Sequence, residues 1–191
     1  QNELGGTLLN NRVQIDGKDA STWISQSIKE LSEMPEVKIL SRSTAFGNYQ
    51  HRYISVLERT PENHLEKYTN LPRERIWKIR AGKTFIATGA IERSLVFSGN
   101  DVPGVMLSSA VESFIFRYGV SLGKNIAFVT NNDNVYNLCI ALHDLGINIP
   151  AIIDPRPNMK SALISKVTEL GIRVYSGWQV EKVVGKKGSM G

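Results

Sequence analysis

The residues best suited to chemistry lie in one run. Thr84-Phe85-Ile86 give way at once to Ala87-Thr88-Gly89-Ala90. β-branched and aromatic side chains suit a pleated surface, so the first three predict a buried strand. Small residues at a strand's end let the backbone approach another group closely, and glycine adds freedom in φ. An open α/β sheet binds ligands beyond the carboxyl ends of its strands. A cofactor passing Ala87 to Ala90 and a plain tight turn both fit these residues. Glu92-Arg93 follow, a charged pair placed either to face phosphate or to cap the turn. Asp101 to Gly104 form a loop held by Pro103.

Other chemistries find little support. His51, His64 and His143 are scattered without metal-ligand spacing. Cys139 is the single cysteine, which excludes an internal disulfide and a Cys-x-x-Cys redox pair. No acid–base pair or activated nucleophile stands out, so the expected catalytic set is empty and the expected work is positioning. The net charge is +5, but Lys and Arg alternate with acids, as in Arg73-Glu74-Arg75. That pattern reads as a solvated surface and argues against a nucleic-acid partner. No apolar run is long enough to span a bilayer. With 41% hydrophobic and 21% charged residues, the composition suits a globular chain.

The elements that must position these residues follow from periodicity. Gly5-Gly6 allow close backbone approach beside the Thr7 hydroxyl, although a plain turn also fits. Asp16-Gly17 mark a turn. Asp19 caps a helix whose apolar stripe is Trp23, Ile24, Ile28 and Leu31, and Pro35 ends it. Val37 to Leu40 read as a strand. Tyr49 to Leu57 suggest a hairpin with His51 on a strand surface, and Glu74 to Arg80 with Lys83 to Ala87 suggest another across Ala81-Gly82. Thr60 to Pro72 read as a polar connector. Ser109 to Glu112 form a capping box. Ala110, Val111, Phe114, Ile115 and Tyr118 stripe the helix behind it, which Gly119 ends.

From Lys124 the pattern alternates strand and helix: strands over 125–130, 151–154 and 172–175, with helices ending at Gly146 and Gly171. That alternation implies parallel strands and right-handed crossovers. Val180 to Val184 suggest one more strand, with a turn at 185–188. Where a dinucleotide fingerprint has glycines, the first turn reads Thr130-Asn131-Asn132-Asp133-Asn134. Side chains there crowd a pyrophosphate, and the Asp133 carboxylate repels phosphate while capping the helix. Asp154, ending the second strand, then reads as a relic or local cap rather than a ribose ligand.

Ile86 to Arg93 and Asn100 to Met106 resemble the two-dinucleotide-binding-domain flavoproteins. Glu3 to Leu9, Thr44 to Gly47 and Phe128 to Asp133 narrow the likeness to α subunits of heterotetrameric sarcosine oxidases. Ser94 departs from that pattern, which has Pro there; the Asn-Asn-Asp turn belongs to it. The resemblance implies an α/β fold of Rossmann-like three-layer units with an inserted small β-meander. Residues 1–107 would be the remainder of a first dinucleotide-binding domain, with the meander at about 48–82. Residues 108–191 would be a helix and part of a second Rossmann-like domain.

In such flavoproteins a strand, a G-x-G-x-x-G turn, a helix and a ribose-binding acid precede this stretch. No such turn occurs in these 191 residues, so the main phosphate grip is expected upstream and weak nucleotide affinity is expected of this stretch alone. The resemblance places Gln1 and Thr7 beside ribose and phosphates, and lets Ala45 meet adenine through its backbone. With Gly5, Gly6, Thr88 and Gly89 they are the expected cofactor contacts. It further implies NAD here, FAD or FMN in the complete complex, other subunits as partners, an amine substrate oxidised in the β subunit, and a cytoplasmic setting. Subunits of opine or D-proline dehydrogenases share these features, and a non-catalytic scaffold with a decayed nucleotide site is the alternative of a different class.

Overall fold

In the computed structural model, residues 3–10, 13–59, 72–159 and 161–185 are described, so Gln1 lies outside the described residues. The same holds for nearly all of the connector expected at 60–72 and for most of the turn expected at 185–188. The chain divides into two units, Gln1–Ala90 and Ile91–Gly191.

The first unit opens with a tight 3-10 turn, Gly6–Leu9. A minimal hairpin, β1 (Gln14–Ile15) and β2 (Lys18–Asp19), reverses at Asp16-Gly17, both with positive φ. Helix α1 (Ala20–Glu33) buries Ala20 and Ile24, half-buries Trp23 and Ile28, and stops before Pro35. Asp19 holds the N-cap position, but its side chain makes no capping bond.

The meander consists of β3 (Ser43–Tyr49), β4 (Tyr53–Arg59) and β5 (Glu74–Arg80), antiparallel in that order. Its reversal at Gln50 to Arg52 holds His51 and Arg52 at φ 59° and 60°, so His51 is a turn residue and not a strand residue. The strand expected at Val37 to Leu40 is absent. The ladder reaches back only to Ser43 opposite Glu58, and an extended segment without a partner is not a strand. On the buried face Trp77 stands beside Val56, and its indole donates to Glu58 Oε2 at 2.7 Å.

The second hairpin also fails to form. Strand β5 pairs with β4, while residues 83–97 run without regular structure and pair with no strand among the described residues. Phe85 and Ile86 are 90% and 75% exposed, so the strand expected at 84–86 is neither laddered nor buried. Periodicity recorded a preference for extended backbone there, which needs a neighbouring strand to become a sheet.

In the second unit β6 (Phe128–Val129), β7 (Ile152–Asp154) and β8 (Val174–Ser176) form a parallel sheet in sequential order. Helices α3 (Asn134–Asp144) and α4 (Ala162–Glu169) cross between them. Val135, Leu138, Cys139, Leu142, Ile152, Val167 and Ile172 make the core, and the alternation read from the sequence becomes the expected parallel topology. Val180 to Val184 are not a strand; Lys182 makes one isolated parallel bridge to Ser98.

Helix α2 (Ser108–Glu112) runs directly into a π-helical turn, Ser113–Arg117. The wider turn closes with the Tyr118 amide donating to the Ser113 carbonyl at 3.2 Å. A five-residue closure rotates the following side chains relative to α-helical spacing. Val111 is buried and Ile115 and Phe116 pack on the core, but Phe114 and Tyr118 are 40% and 62% exposed, against the expected stripe. Exchanging Val111 for alanine should therefore cost about 1–3 kcal/mol of unfolding free energy, and Tyr118→Ala well under 1 kcal/mol. Denaturant titration of the two variants checks this; equal losses would mean an unbroken α-helical stripe.

Candidate functional site

The first unit holds every described residue expected to touch a cofactor. Gly5, Gly6 and Thr7 share the 3-10 turn, with the Leu8 amide donating to the Gly5 carbonyl at 3.1 Å. The two glycines have different reasons to be glycine. Gly5 sits at φ 125°, which strains any side chain, and a Cβ there would also crowd Ile24 Cδ1 of α1 at 2.8 Å. Gly6, at φ 55°, would put a Cβ into open space, and Thr7 beside it is exposed. Only Gly6 leaves room for a ligand to approach the backbone.

Ala45 lies on β3 opposite Val56, and the register slips by one residue between Ala45 and Gly47. A bulge of this kind leaves Phe46 without a partner in the β4 register. Thr88 and Gly89 lie on the exposed run after Gly82, with Gly89 at φ 73° and open space where its Cβ would stand. Among the described residues no hydrogen bond ties the 3-10 turn to Ala45, or either to Thr88-Gly89.

Glu92 does not cap its own turn, as the second of its sequence readings had it, but the start of a distant helix. Its Oε1 accepts from the Ser108 amide at 3.2 Å and hydroxyl at 2.7 Å, and its Oε2 accepts from the Ser109 amide at 2.7 Å. A carboxylate sixteen residues upstream thus caps α2, and the local capping box at Ser109 to Glu112 does not form: Leu107 takes the N-cap position without a side-chain bond. Partial burial works to raise the Glu92 pKa, yet the bonds from Ser109 and Ser108 outweigh it and hold the carboxyl below its ordinary value. Burial, helped by the Glu92 charge, pushes Glu112 the other way.

The mouth of the parallel sheet is closed by charged side chains. Asp154, fully buried at the end of β7, accepts at Oδ1 from the Arg156 amide and Nε, both at 3.0 Å. Its Oδ2 accepts from the Tyr136 hydroxyl at 3.1 Å and from Arg156 Nη2 at 2.7 Å. The same Nη2 reaches Asp133 Oδ1 at 2.8 Å. Burial of Asp154 opposes its charge, but the Arg156 and Tyr136 bonds hold its pKa below the usual range. Burial, then the bond to Asp154, raises that of Tyr136. Asp133 therefore does not cap α3 with its side chain; Asn132 Oδ1 accepts from the Asn134 amide at 3.1 Å instead. Of the two sequence readings of Asp154, the local one holds, with Arg156 as the partner.

Sequence reasoning missed Arg156, Tyr136 and the serines that engage Glu92. Arg156 follows Asp154 by two residues, a visible signal, whereas nothing in the sequence singles out Tyr136 as its partner. Cys139 is fully buried, and burial pushes its thiol up to about 12, so it is no nucleophile. Among the described residues no group of three or more His, Cys, Asp or Glu could hold a metal ion. No helix there is long and apolar enough to cross a membrane.

By fold, the chain is an α/β protein of the kind seen in two solved oxidoreductase structures. One is L-proline dehydrogenase from P. horikoshii, with TM-score 0.61 and 20% identity over 84% of this chain and 30% of that one. The other is a NAD-dependent persulfide reductase from A. fulgidus, with TM-score 0.58 and 13% identity over 94% of this chain and 33% of that one. By sequence, it is similar to sarcosine oxidase subunit alpha. Identity is 44% over 153 residues with that of Rhizobium meliloti (strain 1021), covering 80% of this chain. It is 42% and 40% over 178 residues with those of Corynebacterium sp. strains U-96 and P-1, covering 92% of this chain. The likeness to these subunits read from short segments extends over most of the sequence. The chain spans 16–18% of the length of these relatives. No family model matches it.

Two measurements check the site's electrostatics. Glu92→Ala should lower stability by about 1–2 kcal/mol at neutral pH, the usual worth of a helix cap. Because the folded pKa is depressed, the Glu92 contribution is complete above the unfolded value and fades as pH falls through the folded one. Denaturation midpoints of the variant and the parent should converge as pH falls below the ordinary carboxylate range; a gap independent of pH would rule out the carboxylate as its origin. Separately, Cys139 in the native chain should resist iodoacetamide at neutral pH and react on unfolding, as mass spectrometry would report.

Proposed function

We propose that this chain is the nucleotide-contacting part of the α subunit of a sarcosine oxidase-like oxidoreductase. The observation that carries the reading is the 40–44% identity with three sarcosine oxidase α subunits over 80–92% of the chain. In this reading residues 1–107 are the remainder of a first dinucleotide-binding domain and 108–191 part of a second, each layered in the Rossmann manner. The complete protein oxidises an amine at a CH–NH bond, at a flavin held with a neighbouring subunit. Its other subunits and the amine are its partners.

Within the first unit, the geometry fits a nucleotide held by backbone rather than by charged side chains. Gly6 and Gly89 present bare backbone to open space, and Ala45, the proposed contact of a planar base, begins the bulge in β3 where the register slips. The exposed Thr7 hydroxyl supplies a donor beside them. Gly5 sets the turn by packing on α1, and Thr88 adds a hydroxyl next to Gly89. Gln1 belongs to the proposed set as the residue leading into this turn. NAD, with FAD or FMN in the complete complex, supplies hydride and electron transfer when bound. The residues of this chain bind and orient it, and none of them is a catalytic residue.

The test uses the complete polypeptide assembled with its subunits. Gly6→Val should lower NAD affinity by about tenfold or more, read by calorimetry, while sarcosine still reduces the flavin. NAD affinity unchanged in a folded Gly6→Val protein would remove the proposed site. Faster flavin reduction by proline or an opine than by sarcosine would move the reading to another imino-acid dehydrogenase.

A further inference from the structure

The second unit has the topology in which a dinucleotide binds: parallel strands in sequential order, a turn from β6 into α3, and an acid at the end of β7. In such a sheet the turn receives the pyrophosphate and the acid receives the ribose hydroxyls. Both places are already taken by the chain itself.

A carboxylate offers about four lone-pair positions. Asp154 spends them on the Arg156 amide, Arg156 Nε, Arg156 Nη2 and the Tyr136 hydroxyl, in a fully buried position. None remains for a ribose. At the turn, Thr130 exchanges hydrogen bonds with the Asn132 backbone, and Asn132 Oδ1 takes the Asn134 amide at the head of α3. The Asp133 carboxylate stands at that helix end and binds Arg156 at 2.8 Å. The Arg156 carbonyl accepts from Ser176 Oγ at 2.8 Å, which ties the same residue to the end of β8. One arginine therefore touches the turn after the first strand, the acid of the second and the end of the third.

We propose that Arg156 is a built-in occupant of the second unit's ligand crevice, bridging the carboxylate at the end of β7 to the one at the head of α3. The unit keeps the outline of a dinucleotide site and is shut from inside. Any nucleotide the chain holds is held outside residues 128–178.

Photolabelling with an azido derivative of NAD, followed by peptide mapping of the full chain, tests this. In the wild type no label that excess NAD competes away should fall within residues 128–178, whatever happens in 1–90, which reports on the first unit separately. The double variant Asp133→Asn, Arg156→Gly removes the bridge and the phosphate-repelling charge together. It should gain competable label within 128–178 by at least about tenfold. Competable label there in the wild type overturns the proposal. So does its absence from a double variant whose amide-exchange protection over α3 is intact. Should the double variant not fold, the Arg156 Nε–H resonance of the wild type decides. A resolved, slowly exchanging signal unmoved by millimolar NAD supports the lock, and a fast-exchanging or NAD-shifted signal refutes it.

Discussion

A carboxylate without water must find donors, and Asp154 has found four. An ion moved into a protein interior loses several kcal/mol of solvation even after relaxation. Asp154 recovers that loss through a bidentate guanidinium, a peptide amide and a phenol. Leaving such a group unpaired costs about 3–5 kcal/mol, so the segments that supply its partners are constrained together. Tyr136 comes from α3, Arg156 from the loop after β7, and the Asp154 carbonyl receives the Gly177 amide from the end of β8 at 2.8 Å. The apolar core beneath, from Val135 to Ile172, gives the unit its cohesion. The charged cluster fixes how the ends of strands and helix meet above it.

The same principle recurs at Glu92. A charged residue beside a small-residue run invites a ligand role, yet the carboxylate spends its lone pairs on the exposed amides of α2. The first four amides of any helix lack partners within it, and an anion near that end is favoured by the helix dipole as well. In both places an acid that could have met a nucleotide answers a need of the backbone. In the first unit, by contrast, Gly6 and Gly89 stand at positive φ with open space where a Cβ would be.

Two kinds of signal were legible in the sequence. The strand–helix alternation after Lys124 became a parallel sheet because helical and strand periods differ and each buries one apolar face. Gly119, Gly146 and Gly171 ended their helices at positive φ, a conformation that other residues adopt only with strain. The likeness to sarcosine oxidase α subunits was also legible, since it rests on residue identities and not on contacts. The exposed run from Lys83 to Ala87 shows the other side. Its composition asks for a strand, but a strand is a relation between two segments, and no second one lies beside it among the described residues.

What the sequence determined by itself is local: helix ends, turn positions, strand preference, the lack of a glycine fingerprint before α3, and the family resemblance. What only the tertiary structure decided is which polar groups meet. Glu92 lies sixteen residues from the helix it caps, Tyr136 eighteen from Asp154, and Asp133 twenty-three from Arg156. Local preference acts over a few residues along the chain, whereas hydrogen bonds and ion pairs depend on distance in space. The partners of a buried charge are therefore settled only once the chain has folded.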